Sequence, residues 1–293
     1  MEKTKNGLFK RSAQSGGFIL DAPLSNLKSW FADYVRRFDS IDPDVQRNMD
    51  LKSGHTRRVC ENILDIGKSQ GLPPRDLHVA EAAALLHDIG RFEQYRRYRT
   101  FVDGKSENHA ALGVKVIKEN RLLKDFEPDA AGIILRAVAC HNRLEVPVDG
   151  GPRFLLILRM LRDADKVDIW RVVTEYYQNS AAHRNQAVEL DLPDNDTITD
   201  SVYQALMHGN LVRMADLRTL NDFKLLQIGW IYDVNFPRTF EIIQENRYLE
   251  SIRDKLPQNS TQIDVIYERV LAYSRSGSDL KTCQMPIYLA TFT

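Results

Sequence analysis

Apolar residues recur through most of the chain at the three-and-four spacing that places them on one face of an α-helix. Leu24, Leu27 and Phe31 begin the first such stretch, which predicts an amphipathic helix. Gly71 and Gly90 are expected to end the second and third helices, because glycine is common just beyond a helix C terminus. Strand-like alternation never lasts beyond a few residues, so the pattern predicts an all-α fold. The predicted helices cover residues 23–39, 43–69, 73–87, 108–120, 128–141, 153–177, 199–208, 219–246 and 260–275.

The same pattern predicts how the chain is organised. Residues 1–22 contain basic residues but no sustained apolar run, which indicates an N-terminal leader rather than a secretory signal. Residues 23–177 are predicted to form the main helical core, and residues 178–275 a C-terminal helical region packed on it. The end of the chain, 276–293, is predicted to be a tail. An aromatic and arginine-rich connection over 91–107 is expected to lie over a site in the core.

Charge and cysteine content narrow the function classes. Lys plus Arg and Asp plus Glu both number 40, so the formal net charge is zero. Proteins that bind nucleic acid or anionic membranes through a broad basic surface carry an excess of positive charge. The chain has no run of about 18 uninterrupted apolar residues, so the sequence predicts no membrane span. Cys60, Cys140 and Cys283 lack the CxxC spacing of a zinc site. We therefore expect a cytoplasmic protein that binds neither long nucleic acid nor a membrane.

Polar residues interrupt the apolar faces of five predicted helices. The residues placed in this way are His55, His87, His109, His141 and Asp165. His55, for example, shares a face with Val59 and Ile63. A single histidine on such a face is more often a hydrogen-bonded core residue than a metal ligand. Five helices that each direct an imidazole or a carboxylate inward favour a shared metal site, because buried groups of this kind need partners. Asp88, directly after His87, is placed to bridge two ions.

The order and the local sequence of these residues resemble the HD-domain superfamily of metal-dependent phosphohydrolases. The first histidine lies in HTRRV, the adjacent His-Asp pair in AALLHDIGRF, the third histidine in ENHAALG and the last aspartate in LRDADKVD. A His-Asp dipeptide alone would be a weak signal, but the full ordered set is a strong one. The resemblance covers residues 45–175 and implies an HD-domain-like helical bundle there; the C-terminal helical region predicted from the periodicity is additional to this bundle.

The resemblance implies a site for one or two divalent ions, drawn from Mn, Fe, Ni, Co, Mg and Zn. Family members that have both additional histidines typically hold two ions. The ligands implied for the first ion are His55, His87, Asp88 and Asp165. Asp88 would bridge to a second ion held by His109 and His141. Asp163 competes with Asp165 for the last place, but the family's Ala-Asp-Lys/Arg pattern favours Asp165.

By the same resemblance, the protein is expected to be a metal-dependent phosphohydrolase that cleaves a small phosphoester or nucleotide with a metal-activated water. Asp88 is the implied catalytic residue, and the chain lacks both a GxSxG elbow and a GxxxxGK[ST] phosphate loop. Substrate-binding side chains are predicted among residues near the ligands in sequence: Arg91, Lys105, Lys166 and Tyr98. The HDxxED pattern of alarmone hydrolases and the GYP signature of cyclic di-GMP phosphodiesterases are missing, so the small anionic phosphorylated substrate stays unidentified.

Two other functions are compatible with these features. Diiron oxygenases of the superfamily, similar to inositol oxygenase, present the same ligand order, and metal analysis with oxygen consumption would distinguish them. The third interpretation is a metal-containing module that binds a ligand or partner without catalysis. Trp230, Tyr232, Phe236 and Phe240 have a near-helical spacing that is more typical of a core, but if exposed they would indicate a homodimer surface.

Overall fold

The protein is described here by a computed structural model that covers residues 17–179, 189–190 and 192–283, without the side chains of 17–21, 179 and 278–283. Its α-helices are α1 (Gly17–Arg36), α2 (Pro43–Ser69), α3 (Pro74–Leu86), α4 (Gly90–Tyr98), α5 (His109–Glu119), α6 (Pro128–Cys140), α7 (Pro152–Asn179), α8 (Asp200–Met207), α9 (Leu220–Gly229), α10 (Pro237–Glu245), α11 (Tyr248–Arg253) and α12 (Thr261–Cys283). The described residues contain no strand, which confirms the all-α prediction. Within them, no helix is both long and apolar enough to cross a membrane.

The two terminal helices extend into the predicted leader and the predicted tail. Helix α1 begins at Gly17, inside the predicted leader, and α12 continues to Cys283, inside the predicted tail. The rest of the predicted leader and of the predicted tail lies outside the described residues. The helical periodicity of the apolar residues therefore underestimates the length of both terminal helices.

The connection predicted over 91–107 contains a helix, α4. Gly90 begins this helix and does not end α3, which stops at Leu86. A Cβ atom added to Gly90 would lie 2.2 Å from the carbonyl oxygen of His109 and 2.6 Å from the amide nitrogen of Gly113. Gly90 is therefore needed for the close approach of α4 to α5, and the expectation that it ends a helix is wrong.

The single helix predicted over 219–246 is divided. A 3₁₀ turn at Trp230–Asp233 and a short extended segment separate α9 from α10. In that segment the backbone N–H groups of Asn235 and Phe236 donate to the carboxylate of Asp163 on α7, at 2.9 and 3.1 Å. A buried carboxylate thus replaces the carbonyl acceptors of a continuous helix, and the chain turns at this point.

Helix α7 belongs to both apolar cores of the described chain. Its first half, including Phe154, packs with α1 to α6. From Val167 onward its buried residues, among them Trp170, pack with α8 to α12. The indole N–H of Trp170 donates to the carbonyl oxygen of Gln227 at 2.9 Å and so fixes α7 against α9. The C-terminal region is therefore packed along the same helix that carries Asp165.

The aromatic residues of the C-terminal region contribute to its core. Phe236 and Phe240 are buried, and Trp230 and Tyr232 are partly buried. The ring of Trp230 contacts Trp170 edge-on, with 6.1 Å between the ring centroids. This packing agrees with the core interpretation of their spacing, and a homodimer stays a prediction.

Side-chain caps define where two of the helices in the first core begin. The Asp42 side chain accepts hydrogen bonds from the N–H groups of Asp44 and Val45 and caps α2. Asn108 accepts from the N–H group of Ala111 at 2.9 Å and caps α5. Because Asn108 caps α5, the helix begins at His109. The imidazole of His109 is therefore attached at a fixed helix end.

We expect Gly90→Ala to destabilise the fold by roughly 1–3 kcal/mol, because the new methyl group must displace backbone atoms of α5. Gly132→Ala is the control, since nothing lies within 4 Å of a Cβ added to Gly132 in α6. This control should be neutral or stabilising by up to about 1 kcal/mol. Urea unfolding followed by circular dichroism measures both variants. If the two variants were equally stable, α5 would move away from the new methyl group without a cost in folding free energy.

Candidate metal centre

Five structural elements of the first core bring the predicted ligands together. They are the middle of α2 with His55, the turn after α3 with His87 and Asp88, the start of α5 with His109, the residue after α6, which is His141, and α7 with Asp165. The four histidines and Asp88 are buried, and Asp165 is partly exposed. Residues that are far apart in the sequence therefore share one buried site.

The ligand atoms of these residues form two groups, and within each group they lie within 4.8 Å of one another. The first group is His55, His87 and Asp165, and the second is Asp88, His109 and His141. Nε2 of His55 lies 3.2 Å from Nε2 of His87 and 3.1 Å from Oδ1 of Asp165. The Nε2 atoms of His109 and His141 are 3.1 Å apart. Two imidazole nitrogens of a tetrahedral zinc ion would be about 3.3 Å apart, so these separations fit ligands that share an ion.

Asp88 faces the two groups with different oxygen atoms. Its Oδ2 is 3.6 Å from Nε2 of His55 and 3.8 Å from Nε2 of His87. Its Oδ1 is 3.5 Å from Nε2 of His109 and 3.8 Å from Nε2 of His141. One carboxylate can therefore offer one oxygen to each of two ions.

Backbone carbonyl groups orient two of the histidines. Nδ1 of His87 lies 2.7 Å from the carbonyl oxygen of Ala84, and Nδ1 of His141 lies 2.8 Å from that of Val138. A carbonyl oxygen only accepts, so each ring carries a proton on Nδ1 and donates it. In the neutral ring, Nε2 then presents a lone pair to its group, which is the form that binds a metal ion.

Carboxylates orient the other two histidines. Nδ1 of His55 donates to Asp168 at 2.7 Å, and Nδ1 of His109 donates to Asp103 at 2.8 Å. Such a carboxylate fixes the orientation of the ring and strengthens Nε2 as a ligand. All four histidines therefore have Nδ1 occupied and Nε2 directed at a ligand group. This donor set, with two carboxylates beside the imidazoles, fits divalent metal ions.

Charged neighbours keep the carboxylate of Asp88 ionised. Burial opposes ionisation of Asp88, but Lys52 and His87 hold its pKa well below the usual range. Burial lowers the pKa of His141 to about 3, and the nearby His109 acts in the same direction. At neutral pH, Asp88 is therefore an anion and His141 is neutral, as metal ligation requires.

His55 differs from the other histidines in its protonation. Burial alone would lower its pKa, but the hydrogen bonds to Asp165 and Asp168 raise the pKa above its usual value. The ring therefore tends to hold protons on both nitrogens in the metal-free protein. A metal ion that binds Nε2 of His55 must displace one of them.

The comparison with known families agrees with this geometry. The family model of the HD domain matches residues 53–170. This segment is an HD domain. It begins just before His55 and ends just after Asp165, so all six candidate ligands lie within it. HD domains belong to a superfamily of metal-dependent phosphohydrolases, and the family binds divalent metal ions. No curated protein and no solved structure matches the chain significantly.

Two of the predicted substrate-binding cations are engaged within the protein. Arg91 donates to Oδ1 of Asp103 at 3.0 Å, and Asp103 is the acceptor that orients His109. Lys166 is buried and pairs with Asp233 at 2.6 Å. In the HD domain, Arg91 thus supports a ligand, whereas Lys166 contacts the C-terminal region. Direct contact of either cation with a substrate stays a prediction.

The other two predicted substrate-binding residues lie at the surface of the connection. Tyr98 is the last residue of α4 and is 45% exposed. Lys105 is the last residue of a 3₁₀ turn, Asp103–Lys105, and is also exposed. Between them, Phe101 packs on Tyr95 with 4.8 Å between the ring centroids, so the connection is anchored to α4. The roles of Tyr98 and Lys105 in substrate binding stay predictions.

The sequence patterns missed two residues of the site, Lys52 and Asp103. Nζ of Lys52 lies 2.8 Å from Oδ2 of Asp88. Lys52 is three residues before His55 on the same helix face, a spacing that could have revealed it. For Asp103 no local signal existed, because its contact with His109 depends on how the connection folds back over the core.

The three aspartates of α7 have separate partners. Asp163, the competing candidate for the last ligand, accepts from Asn235 instead. Asp168 accepts from His55 and from Arg58. Asp165 is therefore the aspartate of this helix whose carboxylate lies in a ligand group.

Arg162 connects the C-terminal region to the metal centre. Its guanidinium donates to the carbonyl oxygen of His141 at 2.9 Å and to Oδ2 of Asp233 at 2.6 Å. Burial would raise the pKa of Asp233, but Lys166 and Arg162 hold it below the usual value. An ionised carboxylate of the C-terminal region thus fixes the arginine that holds the backbone of a candidate ligand.

We expect Asp103→Ala to weaken metal binding by roughly 10–100-fold, because His109 loses the carboxylate that fixes its ring. Asp125→Ala, which changes an exposed aspartate, is the control and should bind metal as the wild type does. Isothermal titration of metal-stripped protein with Mn²⁺ or Zn²⁺ measures both affinities. If both variants bind equally well, the Asp103 contact does not orient a metal ligand.

Metal binding is also expected to depend on pH through His55. Because its pKa is raised, the proton on Nε2 competes with the ion below that pKa, and affinity should fall by up to about tenfold per pH unit. Above the pKa the ring is neutral and affinity should level off. Calorimetry in two buffers with different ionisation enthalpies counts the released protons. Constant affinity and no proton release between about pH 5 and pH 8 would contradict this assignment.

Proposed function

We propose that the protein is a metal-dependent phosphohydrolase that cleaves a small phosphoester or nucleotide with a metal-activated water. The observation that carries the proposal is the pair of ligand groups joined by Asp88, whose two oxygens face different groups. When bound, two close divalent ions supply an acidified water as the nucleophile and positive charge for the phosphoryl oxygens. The HD domain supports the same reaction class.

The ligand residues differ in how far their side chains are exposed. The histidine side chains are at most 5% exposed, whereas those of Asp165 and Lys52 are 19% and 17% exposed. Asp165 and Lys52 are therefore more accessible to a substrate than the histidines are. The buried histidines remain shielded from water, which strengthens the electrostatic interactions at the site.

The cysteines near this core are poor alternatives as nucleophiles. Cys60 is buried, and burial raises the pKa of its thiol to about 12. A thiol in that state is protonated at neutral pH and unreactive. Cys140 is also buried. A water activated at the metal centre is therefore the better candidate for the attacking group.

The cations at the centre of the site favour an anionic substrate. Asp88 is flanked by Lys52 at 2.8 Å from Oδ2 and by Arg91 at 3.4 Å from Oδ1. Divalent ions would add to this local positive charge although the chain as a whole is neutral. A small phosphorylated molecule fits such a local field, whereas a long nucleic acid needs an extended basic surface.

The test is metal analysis of the purified protein together with a panel of phosphomonoesters and phosphodiesters. We expect bound divalent metal and hydrolysis of at least one class, with at least about a 100-fold loss of kcat/KM in Asp88→Asn. Asp125→Asn, at an exposed position, should retain full activity.

Two other results would replace the proposal. Stoichiometric iron with a mixed-valent EPR signal and substrate-dependent oxygen consumption would identify an oxygenase. Bound metal without cleavage of any phosphoester in the panel would identify a non-catalytic module that binds a ligand.

A further inference from the structure

Lys52 lies beside the ligand groups, where it can reach a bound anion. It occupies α2 one turn before His55, and its Nζ is 2.8 Å from Oδ2 of Asp88. The same Nζ lies 5.2 Å from the centre of the Phe101 ring. Its side chain is 17% exposed, more than any of the buried histidines. Lys52 is therefore part of the wall that a substrate would meet.

Other cations near the ligands have their closest ion pairs with carboxylates outside the ligand set. Arg91 pairs with Asp103 at 3.0 Å and lies farther, at 3.4 Å, from Oδ1 of Asp88. Arg58 pairs with Asp168. Planar guanidinium groups held in this way are fixed in place. Lys52 differs from them, because the carboxylate that it contacts at 2.8 Å is Asp88 itself.

A metal ion and the Lys52 ammonium would compete for the same oxygen of Asp88. A divalent ion bound to Oδ2 would take the lone pairs that the ammonium now uses and would repel the ammonium as a like charge. A lysine side chain has a flexible four-carbon stem and three N–H donors. The ammonium can therefore turn from Asp88 to the oxygens of an anion without leaving the site.

We propose that Lys52 binds the non-bridging phosphoryl oxygens of the substrate and makes the site selective for phosphomonoester dianions over phosphodiesters. This inference rests on the phosphohydrolase function proposed above. The two carboxylates of the ligand set, Asp88 and Asp165, neutralise only half the charge of two divalent ions, and Lys52 adds further positive charge. A terminal phosphate brings two negative charges to this field and a diester brings one, so the dianion is held more strongly.

The first test measures the binding of inorganic phosphate to Mn²⁺-loaded protein by isothermal titration calorimetry. We expect Lys52→Met to bind phosphate roughly tenfold more weakly than the wild type, because a charge-assisted contact is lost. Lys52→Arg keeps the charge and should stay within about threefold of the wild type. Lys124→Met, at an exposed lysine, is the matched control and should be unchanged. Metal content, measured in parallel, should be the same in all four proteins.

Three results of this test would overturn the proposal. They are equal phosphate affinity in wild type and Lys52→Met, no phosphate binding by the loaded wild type, and loss of metal from Lys52→Met. The last result would show that Lys52 supports the ions and not the substrate. If Lys52→Met does not fold by circular dichroism, Lys52→Gln takes its place under the same criteria.

The second test compares the hydrolysis of p-nitrophenyl phosphate and bis(p-nitrophenyl) phosphate. We expect the wild type to prefer the monoester. In Lys52→Met the ratio of kcat/KM for the monoester to kcat/KM for the diester should fall about tenfold, because KM rises more for the monoester. A wild type that prefers the diester, or an unchanged ratio in the variant, would overturn the selectivity. Hydrolysis of neither ester would count against the proposed function, while the phosphate titration would still decide the role of Lys52.

Discussion

The carboxylate of Asp88 has to stay ionised inside an apolar core, and the neighbouring structure supplies the charges that make this possible. A buried carboxylate without partners would take up a proton, since the cost of removing a charge from water is large. Lys52 contacts Oδ2, the oxygen that faces the first ligand group, and Arg91 contacts Oδ1, the oxygen that faces the second. Arg91 is itself held by Asp103, which also orients His109. The ligand geometry and the charge balance thus depend on the same few contacts.

Helix α7 extends this dependence to the C-terminal region. It carries Asp165 into the ligand groups, and it carries Arg162 and Lys166 to Asp233 on the other side. Because Arg162 also donates to the carbonyl oxygen of His141, the position of that candidate ligand depends on residues outside the HD domain. A change in the packing of the second core would therefore be transmitted to the metal centre through a charged contact as well as through the helix.

The fold class and the inward-facing ligands could be predicted from the sequence because both depend on local periodicity. The apolar residues at helical spacing around His55 and Asp165 indicate which side of each helix faces the core, even where the residue on that side is polar. The break before α10 could not be predicted, since it depends on Asp163, about 70 residues earlier in the chain. The role of Asp103 was hidden for the same reason, because a contact across a connection leaves no periodic pattern.

The arrangement of the Nε2 atoms favours a metal centre over an ordinary polar core. A histidine that only stabilises a core would have complementary partners at both ring nitrogens, and Nδ1 meets this condition throughout the site. The second ligand group does not meet it at Nε2. His109 and His141 both donate from Nδ1, burial lowers the pKa of both rings, and their Nε2 atoms face each other at 3.1 Å. Two neutral rings in this arrangement place lone pair against lone pair. A cation shared with Oδ1 of Asp88 would remove that repulsion and would account for all three positions together.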